Sequence, residues 1–100
     1  MIPMKVSEIA EIMEGTYSGS AEKIIERDFE FDSREIQAGK VFIALPGETR
    51  DGHEFIADAF SRGASLAITT KPVPEDHIRV PDVLAAVSKF AKYLRSNLGQ

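Results

Sequence analysis

Ala38-Gly39-Lys40-Val41-Phe42-Ile43-Ala44-Leu45-Pro46-Gly47 is the stretch on which the fold turns. Residues 41–45 are apolar without a break, so a strand there has no polar face to offer to water. Such a strand is covered on both sides, as in a parallel sheet with helices above and below, and it is expected centrally in the sheet. Pro46-Gly47 ends it, because proline has no N–H for the ladder and glycine readily turns. On the C-terminal side, Asp51 and Glu54 stand at capping-box spacing. Phe55, Ile56, Ala59 and Phe60 then form the stripe of a helix that Gly63 closes. Residues 65–69, with Leu66-Ala67-Ile68 as their apolar centre, read as another strand, and strand, helix, strand in that order implies a parallel, right-handed crossover. Pro72 and Pro74 require a surface loop before a shorter strand at 78–80. A last helix is expected over 82–97, with Val83, Leu84, Val87, Phe90, Ala91 and Leu94 on one side and Lys89, Lys92 and Arg95 elsewhere, the basic residues suiting its C-terminal end.

Towards the N-terminus, Phe29 and Phe31 alternate with acidic residues, and short extended pieces are expected at 16–18 and 23–25. Before them, Ser7 caps a helix carrying Ile9, Ile12 and Met13, with Glu8 in its first turn and Gly15 as its stop. The whole reads as an α/β domain: a small mixed β-sheet flanked by helices.

Composition narrows the function. One hundred residues allow a single core that buries roughly 65% of the unfolded chain's surface. With 43% hydrophobic and 28% charged residues the chain has the make-up of a globular domain, not a disordered one. A net charge of -4 with scattered basic residues argues against nucleic acid or a membrane surface as partner. The absence of cysteine removes disulfides and thiolate chemistry, and with no apolar run at the N-terminus to act as signal or anchor the expected location is the cytoplasm.

No glycine has the spacing of a Gly-Lys-Ser/Thr phosphate loop, so ATP binding of the usual kind is not expected in this chain. His53 and His77 lack partners at metal-ligand spacing, so neither a metal site nor a nucleophilic triad is expected, and no catalytic residue is assigned. The phenylalanines Phe42, Phe55, Phe60 and Phe90 read as core. Two loops carry polar groups in useful places. Asp32-Ser33-Arg34 follows the strand at 29–31 and offers carboxylate, hydroxyl and guanidinium, although Asp-Ser is also a common turn and Arg34 has Asp32 beside it as a partner. Gly47-Glu48-Thr49-Arg50-Asp51-Gly52-His53 joins the buried strand to a helix start, where open α/β sheets place ligands and backbone amides attract phosphate. The plainer alternative is a connection in which the glycines turn the chain and Asp51 caps.

Taken together, Asp32-Ser33-Arg34, residues 38–45, Gly47, Asp51-Gly52-His53-Glu54-Phe55-Ile56, Ala59, Gly63-Ala64 and Val80-Pro81-Asp82-Val83-Leu84-Ala85 resemble the Mur ligase family. The resemblance covers nearly all of the chain and is to the family's N-terminal, substrate-binding domain. It implies residues 1–82 as the domain that holds the UDP part of a UDP-N-acetylmuramoyl-peptide, and 83–100 as a helix leading towards an ATP-binding central domain. ATP and magnesium, a C-terminal domain and a bacterial cytoplasmic location are implied for the whole enzyme, which would form an acyl phosphate that an amine attacks. Carried over residue by residue, Ser33 matches a nucleotide contact and Phe31 contributes through its backbone. Glu48, Thr49 and Arg50 match the stretch that wraps the uridine, Arg34 an anchor and Asp51 a cap. Within the family the opening helix and the Gly47-Glu48 loop are most similar to the branch that adds D-alanyl-D-alanine to the tripeptide, with Arg50 a departure from the apolar residue frequent there. The alternatives are the branch that adds diaminopimelate or lysine to the dipeptide, and a free-standing, non-enzymatic α/β binding module.

Overall fold

The structure, a computed structural model, describes residues 3–45 and 55–97. Strand β1 (Met4–Lys5) leads directly into helix α1 (Val6–Met13). Strands β2 (Thr16–Ser18), β3 (Ile24–Ile25) and β4 (Phe29–Glu30) follow, then a 3-10 turn (Ser33–Glu35) and strand β5 (Val41–Ile43). Helix α2 (Ile56–Ser61), strands β6 (Leu66–Thr69) and β7 (His77–Arg79) and helix α3 (Val83–Asn97) complete the order.

Five strands form one mixed sheet in the order β2-β7-β6-β5-β4, parallel throughout except for β2, which runs antiparallel along β7. The apolar run fulfils its expectation of double burial: Val41, Phe42, Ile43 and Ala44 are all buried. It is not the middle strand, however. That place belongs to β6, because β4 is the sheet's edge and β5 lies next to it. The alternation of side chains assigns Val41, Ile43, Leu66, Ile68 and Ile78 to one face, where α1 and α3 cover them with Ile9, Met13, Val83, Ala86 and Phe90. Phe42, Ala44 and Ala67 point to the other face and pack under Ile56 and Ala59 of α2. The result is three layers, with helices on both sides of a mostly parallel sheet.

Several local expectations are corrected. Helix α1 starts before Ser7: Lys5 is its N-cap, and the Glu8 carboxylate accepts the Lys5 N–H at 2.8 Å. At the other end Glu14, not Gly15, takes the left-handed turn (φ 59°). Gly15 is needed for space instead, since a Cβ there would lie 2.7 Å from Ile78 Cγ2 and 2.8 Å from the Arg79 carbonyl. The extended pieces at 16–18 and 23–25 belong to different sheets, because β3 pairs with β1, a strand that the sequence did not suggest. The strand expected at 78–80 is shifted by one residue to His77–Arg79, while the Val80 N–H still bonds to the Thr69 carbonyl at 2.9 Å. Leu84 is 61% exposed, so the buried stripe of α3 runs through Val83, Ala86 and Phe90, and Phe90 stacks on Phe29 with ring centres 5.1 Å apart. Asp82 caps α3 by accepting the Ala85 N–H at 3.1 Å. Phe55 and Phe60 are only half-buried at the edge of the α2 layer. The Asp51–Glu54 capping box lies outside the described residues.

Candidate functional site

In an open parallel sheet the chain leaves each strand at its C-terminal edge, where ligands commonly bind. The chain leaving β4 turns into the 3-10 helix and the chain leaving β5 returns as α2, the two packing against each other on one face of the sheet. Between them lies a cleft of about 620 Å³, lined by Glu30, Phe31, Asp32, Ser33 and Arg34 from the first connection, Phe42 and Leu45 from β5 and its exit, and Phe55 and Asp58 from the start of α2. Three phenylalanines and a leucine make its apolar part, and three carboxylates, a hydroxyl and a guanidinium its polar part. That mixture of flat apolar surface and a few convergent polar groups is what a small organic ligand requires.

The 3-10 turn is fixed by its own sequence. The Asp32 carboxylate accepts the Arg34 backbone N–H at 2.9 Å and so caps the turn. The same carboxylate accepts Nε and Nη2 of the Arg34 side chain at 3.0 and 2.9 Å. These side-chain hydrogen bonds first, and the backbone one second, hold the Asp32 carboxyl below the ordinary aspartate range. A depressed pKa means that the contact is fully present above the unfolded-state pKa and is lost only as pH falls through the lower, folded value. Asp32 should therefore titrate below a free aspartate when its carboxyl carbon is followed by NMR, and Arg34→Met should return it towards the ordinary value; equal titration in both chains would show that the pair does not form in solution. Ser33, between the two, is only 6% exposed and faces the cleft, while Phe31 is 47% exposed on its rim.

Of the residues singled out in the sequence, the structure brings Phe31, Asp32, Ser33 and Arg34 together on one wall of this cleft. Gly47, Glu48, Thr49, Arg50, Asp51, Gly52 and His53 lie outside the described residues, although the segment they occupy joins Leu45 to Phe55, both of which line the cleft. Glu30, Phe42, Leu45, Phe55 and Asp58 were not singled out as site residues. Asp58 was legible in principle, since it stands three residues after Phe55 on one helix face; Phe42 was not, because a floor residue that is 2% exposed has the same signature as any core residue. Among the described residues no group of His, Asp or Glu could hold a metal ion, and no helix is long and apolar enough to cross a membrane.

Comparison with known proteins agrees with this architecture. The family model described as Mur ligase family, catalytic domain, matches residues 29–96. The UDP-N-acetylmuramoyl-tripeptide--D-alanyl-D-alanine ligase of Mycobacterium tuberculosis is 39% identical over 90 residues, covering 85% of this chain and 18% of that protein. The ligase of the same name from Bacillus subtilis is 34% identical over 105 residues, covering 99% of this chain and 23% of its own length. Among solved structures, MurF from Acinetobacter baumannii superposes with a TM-score of 0.82 at 26% identity, over 94% of this chain and 21% of that one. The chain thus spans about a fifth of the length of the relatives it matches. The family model covers the cleft wall, the apolar strand and α3 in one continuous match, and on that ground the chain belongs to the Mur ligase family.

Proposed function

We propose that this chain is the N-terminal substrate-docking domain of a peptidoglycan-precursor ligase, and that its cleft takes the UDP part of UDP-N-acetylmuramoyl-tripeptide for ATP-dependent addition of D-alanyl-D-alanine. The observation that carries the reading is the cleft at the C-terminal edge of β4 and β5, walled by Phe31, Asp32, Ser33 and Arg34, in a chain of this family. Relatives named for the D-alanyl-D-alanine reaction favour that branch over the one that adds diaminopimelate. In this reading Ser33 contacts the nucleotide, Phe31 borders it, and Gly47, Glu48, Thr49, Arg50, Asp51, Gly52 and His53 contribute to its binding. Residues 1–82 do the docking and 83–100 lead towards the ATP-binding part.

The domain's share of the chemistry is positioning: a substrate held in one place makes the later attack of an amine on an activated carboxyl effectively intramolecular. ATP and magnesium belong to that later step and do not fit this chain, whose sequence has no Gly-Lys-Ser/Thr loop to cradle a triphosphate. This chain by itself is expected to be inactive, the whole enzyme to work in the bacterial cytoplasm, and its partners in the reaction to be the central and C-terminal domains of such a ligase.

The deciding measurement is a titration of the isotope-labelled chain with UDP-N-acetylmuramoyl-tripeptide, following backbone amide shifts, with ATP as control. Saturable shifts at Ser33 and Phe31 with none from ATP support the docking reading; a folded sample that responds to neither ligand, or equally to both, removes it. Ser33→Ala should weaken binding by about 1 kcal/mol, the value of one neutral hydrogen bond, with little change in stability. A variant that loses stability but binds with parent affinity while folded would instead make Ser33 a packing residue.

A further inference from the structure

Of the three carboxylates lining the cleft, that of Glu30 is the most covered: its side chain is 24% exposed, against 37% for Asp32 and 41% for Asp58. Glu30 ends β4 in register with Phe42, so it shares the α2 side of the sheet with that ring, while Phe29 before it packs on the other side. Lys40 Nζ lies 3.6 Å from Glu30 Oε1, and the Lys40 side chain is also largely covered. The backbone that carries this cation is fixed, since the Lys40 carbonyl accepts the Ser65 N–H at 2.9 Å where the chain enters β6. The second carboxylate oxygen, Oε2, accepts the Asp32 N–H at 3.1 Å. Asp32 in turn opens the 3-10 turn that carries Ser33: its side chain accepts the Arg34 N–H and its carbonyl the Glu35 N–H at 3.0 Å. One carboxylate therefore joins the floor of the cleft to the wall that presents Ser33.

A bare carboxylate beside a phosphorylated ligand would repel it, so the place of Glu30 in this cleft needs a physical reason. Lys40 offsets the charge, and because both side chains are largely covered their attraction is screened less than that of exposed pairs. The first N–H groups of a helical turn have no partner within it and must find an acceptor outside. Glu30 supplies one to Asp32, and a hydrogen bond to an ionised acceptor is stronger than a neutral one. Such a bond holds the turn in one conformation before a ligand arrives, which removes part of the ordering cost of binding.

We propose that Glu30 is a positioning residue for the ligand contact made by Ser33: its carboxylate, steadied by Lys40, fixes the Asp32 amide and through it the direction of the Ser33 hydroxyl. The inference rests on the nucleotide reading of the cleft and deepens it, since it gives a part in binding to a residue that lies outside the Asp32-Ser33-Arg34 motif and acts through that motif.

A double-mutant cycle tests this, read by amide-shift titration of the labelled chain with UDP-N-acetylmuramoyl-tripeptide in the parent, Glu30→Met, Glu30→Gln, Ser33→Ala and the Glu30→Met, Ser33→Ala double variant. Methionine keeps the length of the side chain without an acceptor of comparable strength, whereas glutamine keeps an acceptor oxygen and loses the charge. Glu30→Met should weaken binding about fivefold, as Ser33→Ala does, because it can forfeit no more than the contact it positions. Glu30→Gln should stay within about twofold of the parent, since the Asp32 N–H keeps its acceptor. The double variant should again lose about fivefold, not the roughly 25-fold of two independent residues, and this non-additivity is what a merely structural role would not give. In Glu30→Met the Asp32 amide should also exchange with solvent faster than in the parent. Parent affinity in Glu30→Met or in Ser33→Ala, a glutamine variant as weak as the methionine one, or a multiplied loss in the double variant overturns the positioning role and leaves the nucleotide reading standing. A folded parent that does not respond to the ligand removes that reading and the positioning role together.

Discussion

Phe42→Ala is expected to destabilise the chain by about 3–5 kcal/mol, the cost of removing a phenyl ring from a core that cannot close around the gap. Phe42 is 2% exposed and is the largest buried side chain on the α2 side of the sheet. Its buried neighbours there include Ala44, Ala59, Ala64 and Ala67, whose methyl groups are held by backbone and have no rotamer with which to fill the space. The ring also floors the cleft, so its loss would join a core cavity to the site above. Urea denaturation with an unchanged m-value would measure the loss, and for a chain of this size the melting temperature should fall by more than about 10 °C. Phe42→Leu, which keeps most of the volume, should cost less than about 1.5 kcal/mol. A loss under 1 kcal/mol for the alanine variant would show that the layer between the sheet and α2 is not packed as described.

Gly63→Ala should cost about 3 kcal/mol, although it adds a single methyl group. Gly63 follows α2 with φ at +110°, a conformation that L side chains rarely adopt, and a Cβ there would stand 2.9 Å from the Ala38 Cα and 3.2 Å from the Ala38 nitrogen. The obstacle is backbone, held in place by the Gly39 N–H bonded to the Gly63 carbonyl at 2.8 Å, so no side-chain adjustment relieves it. This close approach ties the end of α2 to the chain entering β5. The same denaturation experiment decides the matter, and an alanine variant as stable as the parent would mean that the two segments do not meet. Gly15→Ala is a useful contrast. There the nearest atoms are the Ile78 and Val80 methyl groups as well as the Arg79 carbonyl, and part of the clash can be absorbed by side-chain movement.

Much of the layered fold was legible because both of its signals are local. Residues 41–45 and 65–69 are too short for helices and too apolar for a wet sheet, and the phenylalanine-rich stripe between them repeats at helical spacing. The parallel pairing of β5 with β6 and the covering helices followed from that. The cleft wall at Phe31, Asp32, Ser33 and Arg34 was legible for a similar reason, since a polar triplet at the end of a strand falls at the edge where such sheets open. The errors lie where packing, not propensity, decides. Leu84 fits the apolar stripe of α3 in sequence but stands in water, because α1 and the sheet can cover only the arc through Val83, Ala86 and Phe90. Ser7 has the chemistry of a cap, but the pairing of Met4 and Lys5 with Ile25 and Ile24 starts the helix two residues earlier.

The sequence by itself therefore determined the class of fold, the order of its buried elements and one wall of the cleft, since each depends on residues within a few positions of one another. Only the tertiary structure decided which strand is central and which residues line the floor and far wall of the cleft. Those facts depend on β4, β5 and α2 meeting in space, and such contacts between segments far apart in the chain leave no periodic mark in either segment.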